Sequence, residues 1–155
     1  MADQLTKEQR SAQMARIRAT ANASTETRVE SALRREEVGG WVKHPGDVAG
    51  RPDFYFPNFR LALFVDGCFW HACPKCGRIP KTRVGFWKAK LEANRQRDFR
   101  VTRRLRADGY HVIRVWEHEL SGRHWLARLR RIVRVEPALA TASDGAGSGK
   151  AEGSE

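Results

Sequence analysis

The sequence predicts an α/β fold in which a mixed β-sheet is flanked by helices. Three short segments, 53–56, 60–66 and 111–116, are rich in aromatic and β-branched residues and are bounded by turn residues, as strands are. The longer segments around them carry apolar residues at helical spacing. The order of helix, helix, hairpin, long helix, strand and helix favours a mixed sheet with helices packed on it. At 155 residues, the chain is long enough for one domain with a substantial core.

The first predicted helix opens at Thr6 and Gln9, which have the spacing of a capping box. This polar helix continues to about Arg18 and is basic, with Arg16 among its arginines. We interpret residues 1–22 as a basic helical arm that lies against the phosphates of a nucleic acid. The alternative is a helix whose charges are simply solvated.

The second predicted helix spans residues 25–37 and buries Val29 and Leu33. Glu26 lies three residues before Val29, so it falls on the apolar face of this helix. A carboxylate on a buried face is costly unless it is paired or binds a cation. The alternative explanation is the positive end of the helix dipole, because Glu26 lies in the first turn. The sequence leaves both interpretations open.

The remaining predicted elements follow Gly39-Gly40, which ends the second helix. They are hairpin strands 53–56 and 60–66, a turn-rich cysteine segment 67–83, a helix 86–107, a strand 111–116 and a helix 123–135. Residues 23–135 are therefore expected to form the folded domain. The Ala/Gly/Ser-rich tail 136–155 is expected to be disordered, since such a composition cannot bury enough apolar surface.

The charge of the chain points to a polyanionic partner. Lysine and arginine total 29 against 18 acidic residues, a formal net charge of +11, and the last twenty residues hold four of the acids and one lysine. Nucleic acid is the default partner of so basic a domain, and a merely soluble basic protein is the alternative. No stretch is long and apolar enough to span a bilayer, and residues 1–18 show no apolar signal region. We therefore expect a cytosolic protein with no membrane partner.

Gly50-Arg-Pro-Asp53 places an acid at the start of a strand, where it can face a cleft at the edge of the sheet. Phosphodiester hydrolysis uses a divalent cation held by carboxylates. Asp66 ends the partner strand, and two acids in these places are the pattern of restriction-endonuclease-like nucleases. That pattern continues as acid, any residue, lysine, whereas Cys68 stands here in the lysine position. By itself the motif is weak, because Pro-Asp is common in turns.

Gly67-Cys-Phe-Trp-His71 combines two aromatic residues with a cysteine and a histidine in one loop. The aromatic pair follows no strand or helix period that would place it in a core. Phe69 and Trp70 are therefore candidates for insertion between the base steps of a nucleic acid. His71 is a candidate to accept a proton from an attacking water, as histidines do near neutral pH. The alternative for His71 is a metal ligand or a buried core group.

All three cysteines lie between Cys68 and Cys76, with the spacing Cys-x4-Cys-x2-Cys. Cytosolic proteins rarely use such a group for disulfides, and thiolates at Cys-x2-Cys spacing suit tetrahedral Zn²⁺. A fourth ligand is required, for which His118, after the third strand, and His71 are the candidates. We predict a structural zinc site of Cys68, Cys73, Cys76 and His118, because a structural site leaves no coordination position open.

These motifs resemble those of the very-short-patch repair endonucleases over roughly residues 6–122. Gly50-Arg-Pro-Asp-Phe54 followed by Gly67-Cys-Phe-Trp-His71 is a highly specific signature of that family. The other matching residues are Arg10-Ser11, Met14, Thr25-Glu-Thr-Arg28, Thr82-Arg83, Phe86-Trp87, Asn94, Arg97-Asp98 and Val115-Trp-Glu117. The resemblance implies a bacterial, nucleoid-associated enzyme with the fold of type II restriction enzymes. It also implies Mg²⁺-dependent nicking of duplex DNA beside the thymine of a T·G mismatch, which arises when 5-methylcytosine deaminates.

The resemblance also implies roles for single residues. Asp53 and the backbone carbonyl of Val65 match the two contacts to the catalytic Mg²⁺. His71 matches the catalytic histidine, and Glu26 matches a glutamate near the active site. The DNA contacts that it implies are aromatic residues inserted beside the mismatch and polar residues on the long helix: Phe69, Trp70, Trp87, Lys90 and Asn94.

The zinc ligands depart from the family pattern, which has a cysteine after the Val-Trp-Glu strand. Here His118 takes that place, and Cys73 and Cys76 have altered spacing, which indicates an exchanged ligand set. The expected partner is duplex DNA with a T·G mismatch, and other mismatch-repair proteins are further candidates. A monomer is expected, because a single nick needs one active site. The alternatives are a nuclease of the same fold without mismatch preference and a non-catalytic, zinc-stapled DNA-binding module.

Overall fold

A computed structural model of the chain describes residues 6–133. The elements of this part are α1 Lys7–Arg35, β1 Val42–Lys43, β2 Phe54–Phe56, a 3-10 helix Pro57–Phe59, β3 Leu61–Asp66, α2 Val84–Ala107, β4 His111–Trp116, a 3-10 helix Glu117–Ser121 and α3 His124–Val133. The predicted tail 136–155 and the last two residues of the predicted final helix lie outside the described residues. Within the described residues, every helix is too short or too polar to cross a membrane.

The four strands form one mixed sheet in the order β1-β2-β3-β4. β2 pairs antiparallel with both β1 and β3, whereas β3 and β4 run parallel and are joined through α2. The predicted hairpin and the mixed sheet flanked by helices are therefore confirmed. β1 is an addition, because a strand of two residues has no period that a sequence can reveal.

The prediction of two helices before the first strand is wrong, because residues 7–35 form the single helix α1. The capping box at its start is present, but the helix continues through the segment in which a second cap was expected. Thr20 and Thr25 donate their hydroxyls to backbone carbonyls one turn earlier, so their polar groups are satisfied inside the helix. The boundary drawn after residue 22 falls within α1, and the division into arm and domain stays a prediction.

Helices cover both faces of the sheet. The core on the face of α1 and α3 includes Leu33, Phe54, Leu63, Ile113 and Leu129. The core on the face of α2 consists of Val48, Ala62, Phe64, Leu105 and Val112. Successive side chains of β3 therefore alternate between two buried faces, so this strand contributes to both hydrophobic cores.

The start of β2 meets the ends of β3 and β4 at one edge of the sheet. Asp66, the last residue of β3, is paired with Trp116, the last residue of β4. The loop that leads to Asp53 packs closely on α2 through Gly50, which has a φ of +76°. A Cβ at Gly50 would lie 2.3 Å from Cγ1 of Val101, so this approach requires glycine. Asp53, Asp66 and the loop that carries His71 and the cysteines therefore lie at or beyond this edge.

Candidate active site and metal centres

Three side chains from separate elements converge at the start of β2. Glu26 comes from α1, His44 from the turn after β1, and Asp53 directly precedes β2. One donor atom of each lies within 4.8 Å of the others, and Nε2 of His44 lies 3.0 Å from Oε2 of Glu26. Carboxylate and imidazole donors at these separations can hold a divalent cation. We call Glu26, His44 and Asp53 the β2 cluster.

The carboxyl of Asp53 is anchored to the backbone of β3. Its Oδ2 accepts a hydrogen bond of 2.6 Å from the N–H of Val65. Burial raises the pKa of Asp53 above its ordinary value, the Val65 N–H opposes this shift, and the charge of Glu26 adds to it. A carboxyl that is disfavoured as an anion fits a cation site, because a bound cation would stabilise its ionised form.

Lys43 of β1 supplies positive charge beside the β2 cluster. Its Nζ lies 3.2 Å from Oε2 of Glu26 and 3.4 Å from Oε2 of Glu30. Burial opposes the charge of Lys43, but the bonds to these two acids outweigh it and raise its pKa. Glu26, the acid on the apolar face of the helix, is therefore paired with Lys43. Pairing was one of the two explanations that the sequence left open for this carboxylate.

His71, in the loop after β3, is oriented by a carboxylate of α2. Its Nδ1 lies 2.5 Å from Oδ2 of Asp98 and 3.5 Å from Oδ1 of Asp66. Because Nδ1 faces two acids, the proton of the neutral imidazole is assigned to Nδ1, and Nε2 keeps its lone pair. A histidine held in this way by a carboxylate can act as a general base at Nε2.

Arg114 of β4 joins the two acids that face His71. Its guanidinium donates two hydrogen bonds to Asp66, of 2.6 and 2.7 Å, and its Nη2 lies 3.4 Å from Asp98. The guanidinium also lies over the ring of Phe64, 4.7 Å from its centroid. Both carboxylate oxygens of Asp66 are therefore engaged by Arg114. We call Asp66, His71, Asp98 and Arg114 the His71 network.

The charges of the His71 network stabilise one another. Burial alone would raise the pKa of Asp98, but the hydrogen bond from His71 and the charge of Arg114 outweigh it and lower this pKa. Burial likewise opposes the charge of Arg114, and the bonds to Asp66 outweigh it and raise its pKa. Asp98 is thus an ionised acceptor for His71 at neutral pH. The network lines an open cleft of about 800 Å³, through which a ligand can reach the imidazole.

The four predicted zinc ligands come together in space. The donor atoms of Cys68, Cys73, Cys76 and His118 lie within 4.8 Å of one another. Nδ1 of His118 lies 3.3 Å from Sγ of Cys68 and 3.6 Å from Sγ of Cys73. Ligands of a tetrahedral Zn²⁺ with bonds of about 2.0–2.3 Å lie about 3.5–3.8 Å apart. This Cys3His cluster therefore fits a structural zinc site, and the alternative ligand His71 belongs to the other network.

The thiols of the Cys3His cluster differ in acidity. Burial raises the pKa of Cys68 to about 12, and the neighbouring thiols add to the shift. Burial acts in the same direction on Cys73, but the backbone N–H groups of Cys76 and Lys75 outweigh it and lower that pKa. Gly77 closes the turn by donating its N–H to the carbonyl of Cys73 at 2.8 Å, and a Cβ there would lie 2.5 Å from the same oxygen. Because burial raises the pKa of Cys68, a metal ion that binds its sulfur must displace the thiol proton.

An aromatic cluster packs between the cysteine loop, α1 and α2. The ring centroids of Phe69, Trp70 and Trp87 are 4.9, 5.3 and 6.3 Å apart, and Phe86 packs on Trp87. Arg18 of α1 lies over the ring of Trp70 at 4.5 Å. Trp70 is 8% exposed and Phe86 is 49% exposed. The loop aromatics thus form a packed group, and their insertion into DNA, which would require Trp70 to leave it, stays a prediction.

The other predicted DNA contacts surround this aromatic cluster. Arg16 of α1 and Lys90 of α2 are exposed. The amide of Asn94 donates a hydrogen bond of 2.8 Å to the backbone carbonyl of Trp70. Asn94 therefore holds the cysteine loop against α2 in the DNA-free molecule. A contact of Asn94, Lys90 or Arg16 with DNA stays a prediction.

Sequence reasoning does not identify His44, Asp98 or Arg114 as members of these groups. His44 lies in a loop without a motif, and Asp98 enters only as part of a matching pair of residues. Arg114 carried a usable signal, because it interrupts an otherwise apolar strand. A charge at such a position is rarely buried unless it is paired, so a buried acidic partner could have been predicted.

Comparison with known proteins relates this chain to a group of DNA-cutting enzymes. A sequence model described as DNA mismatch endonuclease Vsr matches residues 2–77. The type II nicking enzyme V.XorIIP of Xanthomonas oryzae is 43% identical over 139 residues, which cover 86% of this chain and 98% of that protein. The type II nicking enzyme V.NmeDIP of Neisseria meningitidis is 37% identical over 123 residues, 76% of this chain and 80% of that protein. The DNA mismatch endonuclease Vsr of Escherichia coli is 38% identical over 138 residues, with shares of 88% and 86%.

Proposed function

This chain belongs to the Vsr family of strand-nicking DNA endonucleases, and on that premise we propose that it cuts one strand of duplex DNA beside the thymine of a T·G mismatch. The observation that supports the proposal is the meeting of the β2 cluster and the His71 network at the end of β3. Asp53 accepts a hydrogen bond of 2.6 Å from Val65 of β3, and Asp66 of the His71 network is the next residue of that strand. A group suited to a cation thus lies beside a group suited to proton transfer.

In this proposal Asp53, Glu26 and the backbone carbonyl of Val65 would hold Mg²⁺. When bound, Mg²⁺ polarises the phosphate and stabilises the leaving oxygen. The hydrogen bond from the Val65 N–H to Oδ2 would hold the Asp53 carboxylate in place beside the cation. Asp66 is not assigned to the metal, because Arg114 engages both of its oxygens.

His71 is the proposed general base. Its Nε2 accepts a proton from water as the water oxygen bonds to phosphorus and the bond to the leaving oxygen breaks. Asp98 accepts the hydrogen bond from the Nδ1–H of His71 and stabilises the imidazolium that forms. The cleft beside the His71 network lets the proton pass on to solvent afterwards.

Recognition of the mismatch is assigned to the aromatic cluster and its basic surroundings. Phe69, Trp70 and Trp87 are the candidates for insertion beside the T·G pair, where unstacking costs least because the duplex is already distorted. Exposed basic residues on α1 and α2, such as Arg16 and Lys90, contact phosphates on either side. The Cys3His cluster, with Zn²⁺ as a structural ion, holds the loop that presents the aromatic residues and His71.

The test is a nicking assay on a labelled duplex with one T·G mismatch and on the same duplex with a T·A pair. The zinc-loaded protein is assayed with and without added Mg²⁺, as wild type, Asp53→Ala and His71→Ala. Asp47→Ala and His111→Ala are the matched controls, since both side chains are exposed and outside the two groups. We expect Mg²⁺-dependent nicking of the thymine-containing strand by wild type and both controls, and loss of nicking in the two site variants.

The other outcomes separate the alternatives. Equal cutting of the matched duplex would leave a nuclease and remove the mismatch preference. If no flanking sequence were cut while tight binding persisted, the zinc-stapled binding module would replace the proposal. Gel filtration of the active fraction tests the expected monomer, and an obligate dimer would contradict it.

A further inference from the structure

His44 is an unassigned imidazole within reach of two carboxylates of the proposed active site. Its Nε2 lies 3.0 Å from Oε2 of Glu26, and donor atoms of His44, Glu26 and Asp53 all lie within 4.8 Å of one another. Two neighbouring ligands of one octahedral ion, with bonds of about 2.1 Å, lie about 3 Å apart. The imidazole and the Glu26 carboxylate therefore already have the separation of two ligands of one cation.

We propose that His44 is a third side-chain ligand of the catalytic cation, with Glu26 and Asp53, so that this centre binds Mn²⁺ through a nitrogen donor. The inference rests on the metal-dependent nicking proposed above and adds a ligand to that same site. An imidazole donor favours first-row transition ions over Mg²⁺, whose ligands are nearly all oxygens. The ligand set therefore selects among divalent cations as well as holding them.

The backbone at His44 is compatible with a ligand role for its side chain. His44 has a φ of +47°, in the left-handed region, which histidine, asparagine and aspartate adopt more often than other non-glycine residues. The conformation follows directly after β1 and directs the imidazole back toward α1, where Glu26 lies. A glycine would adopt this turn more readily, but it would leave the β2 cluster without a nitrogen donor.

A simple ion pair between His44 and Glu26 is the competing explanation. Glu26 already has a cationic partner in Lys43, whose Nζ lies 3.2 Å away, so its charge does not require the imidazole. Lys43 also has a second acid, Glu30, at 3.4 Å. When Glu26 turns to a metal ion, Lys43 therefore keeps a partner. Lys43 therefore balances the charge of Glu26 without the imidazole, which leaves His44 and the half-buried Asp53 for the metal.

The test uses the zinc-loaded protein with less than one equivalent of Mn²⁺ and measures electron spin echo modulation from ¹⁴N bound to Mn²⁺. We expect modulation in wild type and in His111→Ala, a histidine at the opposite end of the sheet, and none in His44→Ala. Titration calorimetry should show Mn²⁺ affinity reduced about 10- to 100-fold in His44→Ala. Asp53→Ala should lose Mn²⁺ binding at this site altogether.

His44→Asn separates a ligand role from a backbone role. Asparagine tolerates the left-handed conformation and keeps an oxygen donor, so the protein should fold and bind Mn²⁺ more weakly while the nitrogen signal disappears. Nitrogen modulation that persists in both His44 variants, or is absent from wild type, would overturn the inference. Failure to nick T·G DNA while the His44-dependent signal is present would instead overturn the proposed function and leave the ligand assignment intact.

Discussion

Asp53 is the residue at which burial and ion binding oppose each other most directly. Burial and the charge of Glu26 raise its pKa, so the metal-free fold binds this proton more tightly than the unfolded chain does. As pH rises from the ordinary pKa of an aspartate through the raised value, the free energy of unfolding therefore falls. The cost of the ionised carboxyl is removed only when a cation is bound.

Asp53→Asn should therefore abolish nicking and stabilise the metal-free protein at neutral pH. The amide oxygen can still accept the hydrogen bond from Val65, and no charge is buried. Urea unfolding of the zinc-loaded protein without Mg²⁺, from pH 4 to pH 8, measures the effect. As pH rises through the lower part of this range, the free energy of unfolding of wild type should fall relative to that of the variant, and parallel pH curves would contradict the prediction.

Arg114→Leu should destabilise the fold strongly because it leaves Asp66, which is 5% exposed, without a cation. Removal of one partner from a buried ion pair costs about 3–5 kcal/mol, whereas replacement of both partners by apolar residues is often nearly neutral. The double variant Asp66→Leu/Arg114→Leu should recover most of the loss in urea midpoint. A double variant as unstable as the single one would show that Arg114 acts through another contact.

At the scale of the residue, local motifs predicted what lies close together in the chain. Asp53, His71 and the three cysteines all fall within two short strings, and the structure brings them to one edge of the sheet. Their partners could not be predicted in this way. Asp98 is 27 positions from His71, and Arg114 is 48 positions from Asp66, so the fold itself pairs them.

The cysteine loop is the element whose stability is expected to depend on a metal ion. At neutral pH the metal-free protein keeps the proton on Cys68, whose pKa is raised to about 12 by burial, so Zn²⁺ binding releases it. Zinc affinity should therefore fall about tenfold for each released proton as pH falls by one unit. Competition with a chelator at pH 6, 7 and 8 measures this dependence, and a flat profile would contradict it.

Loss of zinc should also disable the loop as a unit. The Cys3His cluster ties residues 68–76 to the 3-10 helix after β4, and the same loop carries His71 and the aromatic cluster. Nicking and the order of the aromatic rings should therefore be lost together. Tryptophan fluorescence and the nicking rate, measured on the same samples, should change at the same chelator concentration.

At the scale of the element, the sheet was predictable and the first helix was not. The strands have a strand-like composition and are bounded by turn residues, and the predicted strands are present in the structure. The polar segment between residues 18 and 25 contains good cap formers, which favoured a break. In the structure, Thr20 and Thr25 instead bond within the helix, and continuous packing of the following turns on the core extends it.

The charge of the whole molecule should govern its affinity for DNA. With a net charge of +11, binding should weaken steeply as salt rises, because each phosphate contact releases counterions. Arg16→Ala should reduce the slope of log affinity against log salt by about 1, for matched and mismatched duplexes alike. Arg106→Ala, an exposed change near the far end of α2, is the control and should leave the slope unchanged. An equal effect of both variants would show that α1 is not the phosphate-contacting arm.

The contact between Gly50 and Val101 limits the substitutions that these two positions can accept. Position 50 leads into the strand that carries Asp53, and position 101 lies one turn after Asp98 on α2. A Cβ at position 50 would lie 2.3 Å from Cγ1 of Val101, so the side chains at positions 50 and 101 compete for the same volume. A larger residue at position 50 would require a smaller residue at position 101. It would also be strained by the left-handed backbone conformation at position 50. The two halves of the proposed active site are thus joined by a glycine that takes no part in the proposed chemistry.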